Sequence, residues 1–141
     1  MRREYVGGAQ AARLTAGLGG TSLDLTISCN DLTNWPTGTG GTPFYVVIDR
    51  GTASEEKILC GSRSGNTLLV FDNGVTVGRG ADDTSITAHS NNAIIEHVFT
   101  ATDADESNAH INVGHPQIFY QTTAPTLPAA GNLWVDSDGT V

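Results

Sequence analysis

Thr-Pro-Phe-Tyr-Val-Val-Ile-Asp-Arg (Thr42–Arg50), Gly-Thr-Ala-Ser-Glu-Glu-Lys-Ile-Leu-Cys-Gly-Ser-Arg (Gly51–Arg63) and Ser-Gly-Asn-Thr-Leu-Leu-Val-Phe (Ser64–Phe71) follow one another without a break. Side chains alternate across a strand with period two, so Phe44, Val46 and Ile48 share one face. Ile58 and Cys60 repeat that spacing, as do Leu69 and Phe71. Gly65-Asn66, set between two such runs, is a hairpin signal. The stretch reads as a β-meander that supplies the core.

Toward the C-terminus, Asp72-Asn73-Gly74 is a second turn, after which Val75 and Val77 resume a strand. Gly78–Asp83 reads as a mobile loop rich in glycine and aspartate. Ser85–Ala88 and Ala93–Ala101 read as strands joined by Ser90-Asn91-Asn92. In the second, Ile94, Glu96, Val98 and Thr100 face one way, and Ile95, His97, Phe99 and Ala101 the other. Asp103, three residues before Glu106, gives a capping-box-like helix start, and the predicted helix covers Ala104–Ile111, ended by Gly114 and Pro116. Toward the N-terminus, Ser22–Cys29 alternates, with Leu23, Leu25, Ile27 and Cys29 on one face. Ala9–Leu18 also favours a strand. Asn30–Thr42 is a loop whose Trp35-Pro36 reads first as a plug for the end of a β-core and second as a ligand platform.

Composition supports this reading. Of 141 residues only 16% are charged and 17 are glycine, which suits short strands and many turns better than a helical bundle. The net charge is −8 with 7 Lys and Arg, against both a nucleic-acid partner and an anionic membrane surface. No apolar run approaches the roughly 18 residues of a membrane span, and Met1-Arg2-Arg3-Glu4 precedes no apolar segment of a signal peptide. Cys29 and Cys60 form no CxxC pair; free buried thiols are expected, with a disulfide between them left open. The predicted fold is mainly β: a compact antiparallel β-sandwich or barrel-like domain with one short helix near 104–111 and extended N- and C-terminal arms. Residues 1–8 form the N-terminal arm and 9–115 the β-rich domain. Residues 116–141 form a Pro-rich linker, with Pro125 and Pro128, and a docking strand around Leu133-Trp134-Val135.

Candidate chemistry is sparse. His89, His97 and His110, with His115, are the residues from which a metal site could be built, and imidazoles would suit zinc. The eight-residue spacing of His89 and His97 matches no zinc motif, and hydrogen bonding within the turn-and-helix unit is the favoured role. Glu55-Glu56, as neighbours in a strand, point to opposite faces and cannot be a facing carboxylate pair. Asp82-Asp83 and Asp136…Asp138 are weak calcium or glycosidase candidates, and the distal Glu of a calcium loop is missing. Gly38-Thr39-Gly40-Gly41 has no lysine after it. No catalytic residue and no cofactor is expected, and the chain does not read as an enzyme.

Several stretches together resemble a module of tail fibres and minor, baseplate-associated tail proteins of tailed bacteriophages. They are Trp35-Pro36 with Pro43–Asp49; Glu55–Leu59 with Ser64–Leu68; Gly80…Thr84…Ala88-His89 leading to Ala93–Val98; and Thr100–Asp103…Glu106…His110-Ile111. The closing Gly131-Asn132-Leu133-Trp134-Val135-Asp136 resembles a segment common in phage fibre proteins. The chain departs from the family at Gly74–Asp83, which is longer than the compact Gly-Thr turn found there. The resemblance implies a virion structural protein on the tail or capsid exterior, a homotrimer that attaches a fibre or tail-tip component through other virion proteins. A capsid decoration or head-fibre protein is the alternative, and so is a module binding host-surface glycan. Under the assembly reading, Tyr5, Trp35, Phe119, Tyr120 and Trp134 are the expected interface anchors, because aromatics dominate contact energy.

Overall fold

The computed structural model describes residues 3–112, 118–121 and 133–136, with side chains described over 3–109. Eight strands and one helix follow in the order β1 (Ala12–Arg13), β2 (Thr26–Ser28), β3 (Phe44–Ile48), β4 (Glu56–Ser64), β5 (Thr67–Val70), β6 (Ile94–Val98), α1 (Ala101–Asn112), β7 (Ile118–Gln121) and β8 (Leu133–Asp136). They fall into two compact units, Met1–Asp103 and Ala104–Val141. The expected mainly-β class with one short helix is what forms.

The first unit is one curled, six-stranded antiparallel sheet ordered β1-β6-β3-β4-β5-β2. Its two edge strands meet. Leu14 and Cys29 form an antiparallel bridge, Thr15 N–H donates to Ser28 O at 2.9 Å, and Asn30 N–H donates to Arg13 O at 2.9 Å. The single sheet thus curls until its edges touch, the barrel-like branch of the expectation, and the curl removes most of the unpaired edge.

Inside lie Phe44, Val46 and Ile48 from β3, Ile58 and Cys60 from β4, Leu68 and Val70 from β5, Ile95 from β6, and Ile27, Leu14 and Leu32. The meander therefore stands where expected, with the Gly65 turn showing positive φ (56°) at the first central position, as a type II′ hairpin requires. The inward set on β5 is Leu68 and Val70, rather than the expected Leu69 and Phe71. The cause is a β-bulge at Gly61: Cys60 pairs with Val70, but Ser62 pairs with Leu69. One extra residue flips the parity of everything after it.

Other differences have equally local causes. Leu23, expected on the inner face of a strand from Ser22 to Cys29, is 85% exposed. Thr21 and Asp24 close a turn around it, the Thr21 hydroxyl donating to Asp24 Oδ2 at 2.6 Å, and β2 starts only at Thr26. Ala9–Leu18 shrinks to the two-residue β1 plus bridges at Leu14 and Leu18. Val75 lies in a turn held by the Asn73 side chain, which accepts from the Val75 and Thr76 N–H groups, so only Val77 bridges back, to Asp72. Ser85–Ala88 forms no strand; His89 alone bridges to Leu18.

α1 begins three residues earlier than the expected Ala104. Its capping box is Thr100–Asp103: Thr100 N–H donates to Asp103 Oδ2 at 2.9 Å, and Asp103 N–H donates back to Thr100 Oγ1 at 3.3 Å. The N-terminal arm lies on the same unit. Glu4 N–H donates to Pro43 O at 3.1 Å, the Glu4 carboxylate accepts from Thr37 N–H and Gly38 N–H, and the Arg3 guanidinium lies 5.2 Å from the Tyr45 ring centre. All five residues of β3, outward Tyr45 and Val47 included, are buried, and the arm's Arg3 lies over Tyr45. Gly114, His115, Pro116 and the linker 122–132 lie outside the described residues.

In the second unit β7 and β8 pair in parallel, Ile118 with Leu133, Phe119 with Trp134, Tyr120 with Val135 and Gln121 with Asp136. Both fall on stretches that the sequence marks as short strands.

Candidate functional site

The chemistry inside the curled sheet collects at the end of β3 that Ile48 marks. Glu56 pairs with Ile48 and shares the inward parity of Ile58 and Cys60, so the alternation that builds the core also drives a carboxylate into it. It is fully buried, and so, nearly, are Arg79 and His89. An isolated buried carboxylate is very costly, and it must find cations and N–H donors. Glu56 finds five. Arg79 Nε and Nη2 clamp it in a two-point fork at 2.7 and 2.9 Å. Gly80 N–H and Thr87 N–H donate at 2.9 and 3.1 Å, and His89 Nε2 lies 3.1 Å from Oε2.

Arg79 is equally committed. Beyond Glu56 it donates to the carbonyls of Thr21, Asp24, Gly19 and Thr87, all at 2.9–3.1 Å. One guanidinium thereby ties the Gly19–Asp24 turn, the Thr87 segment and β4 together. Gly78–Asp83, expected to be mobile, is instead the segment that delivers this arginine. Gly78 makes the approach possible: its backbone pairs with Leu59 and Phe71, and a side chain there would run into Leu59. Asp49, in the left-handed region at φ 53° just after β3, completes the group by placing Oδ2 2.9 Å from His89 Nδ1.

These contacts set the charges. Burial alone would raise the Glu56 pKa, but His89, Arg79 and the Thr87 and Gly80 amides outweigh it and hold it at about 2. Burial alone would lower the His89 pKa, but Glu56 and Asp49 on either side raise it above 6.5. Asp82 is held at about 2: burial opposes ionisation, but Lys57 at 2.6 Å and the Thr102 hydroxyl and amide prevail. Cys29 and Cys60 are free buried thiols. Burial pushes Cys29 up to about 11 and Cys60 higher still, helped by the neighbouring Cys29, so neither is a nucleophile at neutral pH.

His97 has a different setting. It pairs with Val46, the middle residue of β3, and its ring centre lies 6.0–6.4 Å from those of Tyr5, Trp35 and Phe44. Burial pushes its pKa down, against the opposing pull of the Glu4 and Val6 backbone and the Asp103 and Glu4 charges. His89 and His97 therefore have separate partners and do not come together. Among the described residues, no group of three or more His, Cys, Asp or Glu is arranged to hold a metal. The side chains of His110 and His115 lie outside the described set.

Trp35 is 3% exposed, and its indole N–H donates to Gln10 O at 2.8 Å. It plugs the sheet interior, the first of its two sequence readings. Its ring is committed to this chain's own core, which argues against both the interface-anchor and stacking-platform roles. It forms one wall of an open, polar depression of about 240 Å³ beside the seam, with Asn30, Asp31, Thr33 and Asn34 around it. Tyr5, by contrast, is half exposed and packs its ring 5.4 Å from that of the exposed Phe99. Phe119 and Trp134 are register partners in the second unit, where Tyr120 pairs with Val135.

The opposite pKa shifts give a pH signature. A raised His89 pKa means the folded state holds the proton more tightly: its stabilisation is complete below 6.5 and is lost as pH rises through the folded value. His97 has the opposite sign, stabilising above 6.5 and losing that contribution as pH falls. Glu56 contributes fully above 4.5 and loses its contribution as pH drops toward about 2. In an NMR titration of the histidine ring protons, His89 is expected to titrate above 6.5 and His97 below it; the reverse order would refute the assignment of charge to the buried group.

Compared with models of protein families and with curated proteins, the chain matches none.

Proposed function

We propose that the chain is a structural assembly module of a bacteriophage virion, oligomeric and most simply trimeric, joining a fibre or tail-tip component to the particle. The resemblance in the sequence supplies the identity. The observation that carries the role is the closed chemistry of the curled sheet: the Glu56, Arg79, His89 and Asp49 side chains are turned on one another and on backbone. Such a group pins loops in place and offers nothing to a substrate. The first unit exposes an aromatic pair, Tyr5 with Phe99, and the sequence of β7 and β8 carries Phe119, Tyr120 and Trp134. Aromatic residues of this kind are enriched in protein contacts.

Light scattering on the purified chain across a concentration series, with immunolabelling of particles from the source phage, tests this. A mass of several chains and label on the tail or capsid exterior are expected. A stable monomer absent from particles would overturn the proposal, and so would saturable quenching of tryptophan fluorescence by glycans with no self-association.

A further inference from the structure

Among the described residues, the second unit holds a sheet of two strands. β7 and β8 are four residues each and, among the described residues, pair with one another alone. Parallel pairing is slightly weaker per residue than antiparallel, and parallel sheets occur almost always as several strands covered on both faces. Two short strands alone are marginal in water. Among the described residues, no strand lies beside the outer backbone edges of this pair.

The two strands carry the same pattern. Ile-Phe-Tyr-Gln and Leu-Trp-Val-Asp both run apolar, apolar, apolar, polar, and the register sets them position against position. A β8 edge therefore sees in the β7 edge of another copy the same sequence of neighbours that it already has in its own chain. Because the strands are parallel, copies related by rotation about an axis along them all run the same way. The β8 edge of one copy can meet the β7 edge of the next, head to tail, until the ring closes. Charge agrees: in a chain of net charge −8 these strands carry a single charged residue, Asp136, so bringing copies together here meets little repulsion.

We infer that β7–β8 is the self-association element of this protein, completed by strand addition in the same register from a second copy of the chain. The inference rests on the assembly reading and locates its interface.

Full-length wild type and the Tyr120→Asp/Val135→Asp double variant, which sets two carboxylates at one register pair, are compared by light scattering and by thermal unfolding of the first unit. The expected result is a multimeric wild type and a variant reduced to the mass of one chain with the unfolding midpoint unchanged. A variant that keeps the wild-type mass overturns the inference and leaves the assembly reading standing; a monomeric wild type overturns both. Should the variant fail to fold, co-expressed Gln121→Cys and Asp136→Cys chains decide. Residues 121 and 136 are register partners, so oxidation should link one chain to the other as a covalent dimer on a non-reducing gel. Failure to link overturns the inference.

Discussion

Arg79→Met is expected to destabilise the first unit by roughly 3–5 kcal/mol, the cost of removing one partner from a buried ion pair. The side chain is of similar length and apolar, so packing changes little. What changes is that Glu56, buried on the core face, loses its two-point clamp, and the carbonyls of Gly19, Thr21, Asp24 and Thr87 lose a shared donor. The double variant Arg79→Met/Glu56→Met separates these effects. If the ion pair were all that mattered, replacing both charges by apolar groups would restore most of the stability. Because the carbonyls stay without their donor, at about 1–3 kcal/mol for each that water cannot reach, the double variant is expected to remain well below wild type. Urea unfolding measures both, and full recovery in the double variant would show that the arginine does not organise the loops. Arg79→Lys should recover only part, since an ammonium cannot reproduce the planar fork.

Phe44→Ala is expected to cost about 3–5 kcal/mol, the usual range for removing a buried aromatic from a packed core. Phe44 is 0% exposed, pairs with Cys60 and meets His97 edge-on at 6.0 Å. The loss opens space beside His97, so a second effect should accompany it: water reaching the imidazole relieves the burial that depresses its pKa. An NMR titration of the variant should show His97 moving up toward 6.5, while His89, at the other end of β3, stays where it was. A shift of His89 instead would mean that the two ends of the strand are coupled through the sheet.

Much of this was legible from residue order. β3, β4 and the Gly65 turn follow from alternation and turn chemistry alone, because hydrophobic period and hairpin geometry are local properties. What local reading could not supply was the bulge at Gly61, since a glycine in a strand permits a bulge without demanding one. The buried charged group was half visible. Glu56 has the parity of Ile58 and Cys60, and a carboxylate on a core face requires a cation. With only 7 Lys and Arg in the chain, the search is short, and Arg79 between two glycines is the one set in backbone able to come close. The pairing spans 23 positions, however, and a loop of glycine and aspartate looks mobile until its tertiary partner is known. His89 and His97 were expected to hydrogen-bond within the turn-and-helix unit, whereas His89 meets Asp49 and Glu56 from outside it and His97 is placed among aromatic rings by the pairing of β6 with β3, contacts between distant segments. Trp35 shows the same limit from the other side: a tryptophan in a loop is compatible with plug and platform alike until the fold around it is known.

The join between β1 and β6 bears on how the molecule is made. Ala12 pairs with Ile95, so β1 leaves the ribosome 83 positions ahead of this partner. At roughly 5–20 residues per second the delay is on the order of 4–16 s. The β3–β4–β5 meander, built from neighbours, can form within that interval. During that interval β1 can already meet β2 through Leu14 and Cys29, but its pairing with β6, which joins it to the central strands, has to await Ile95.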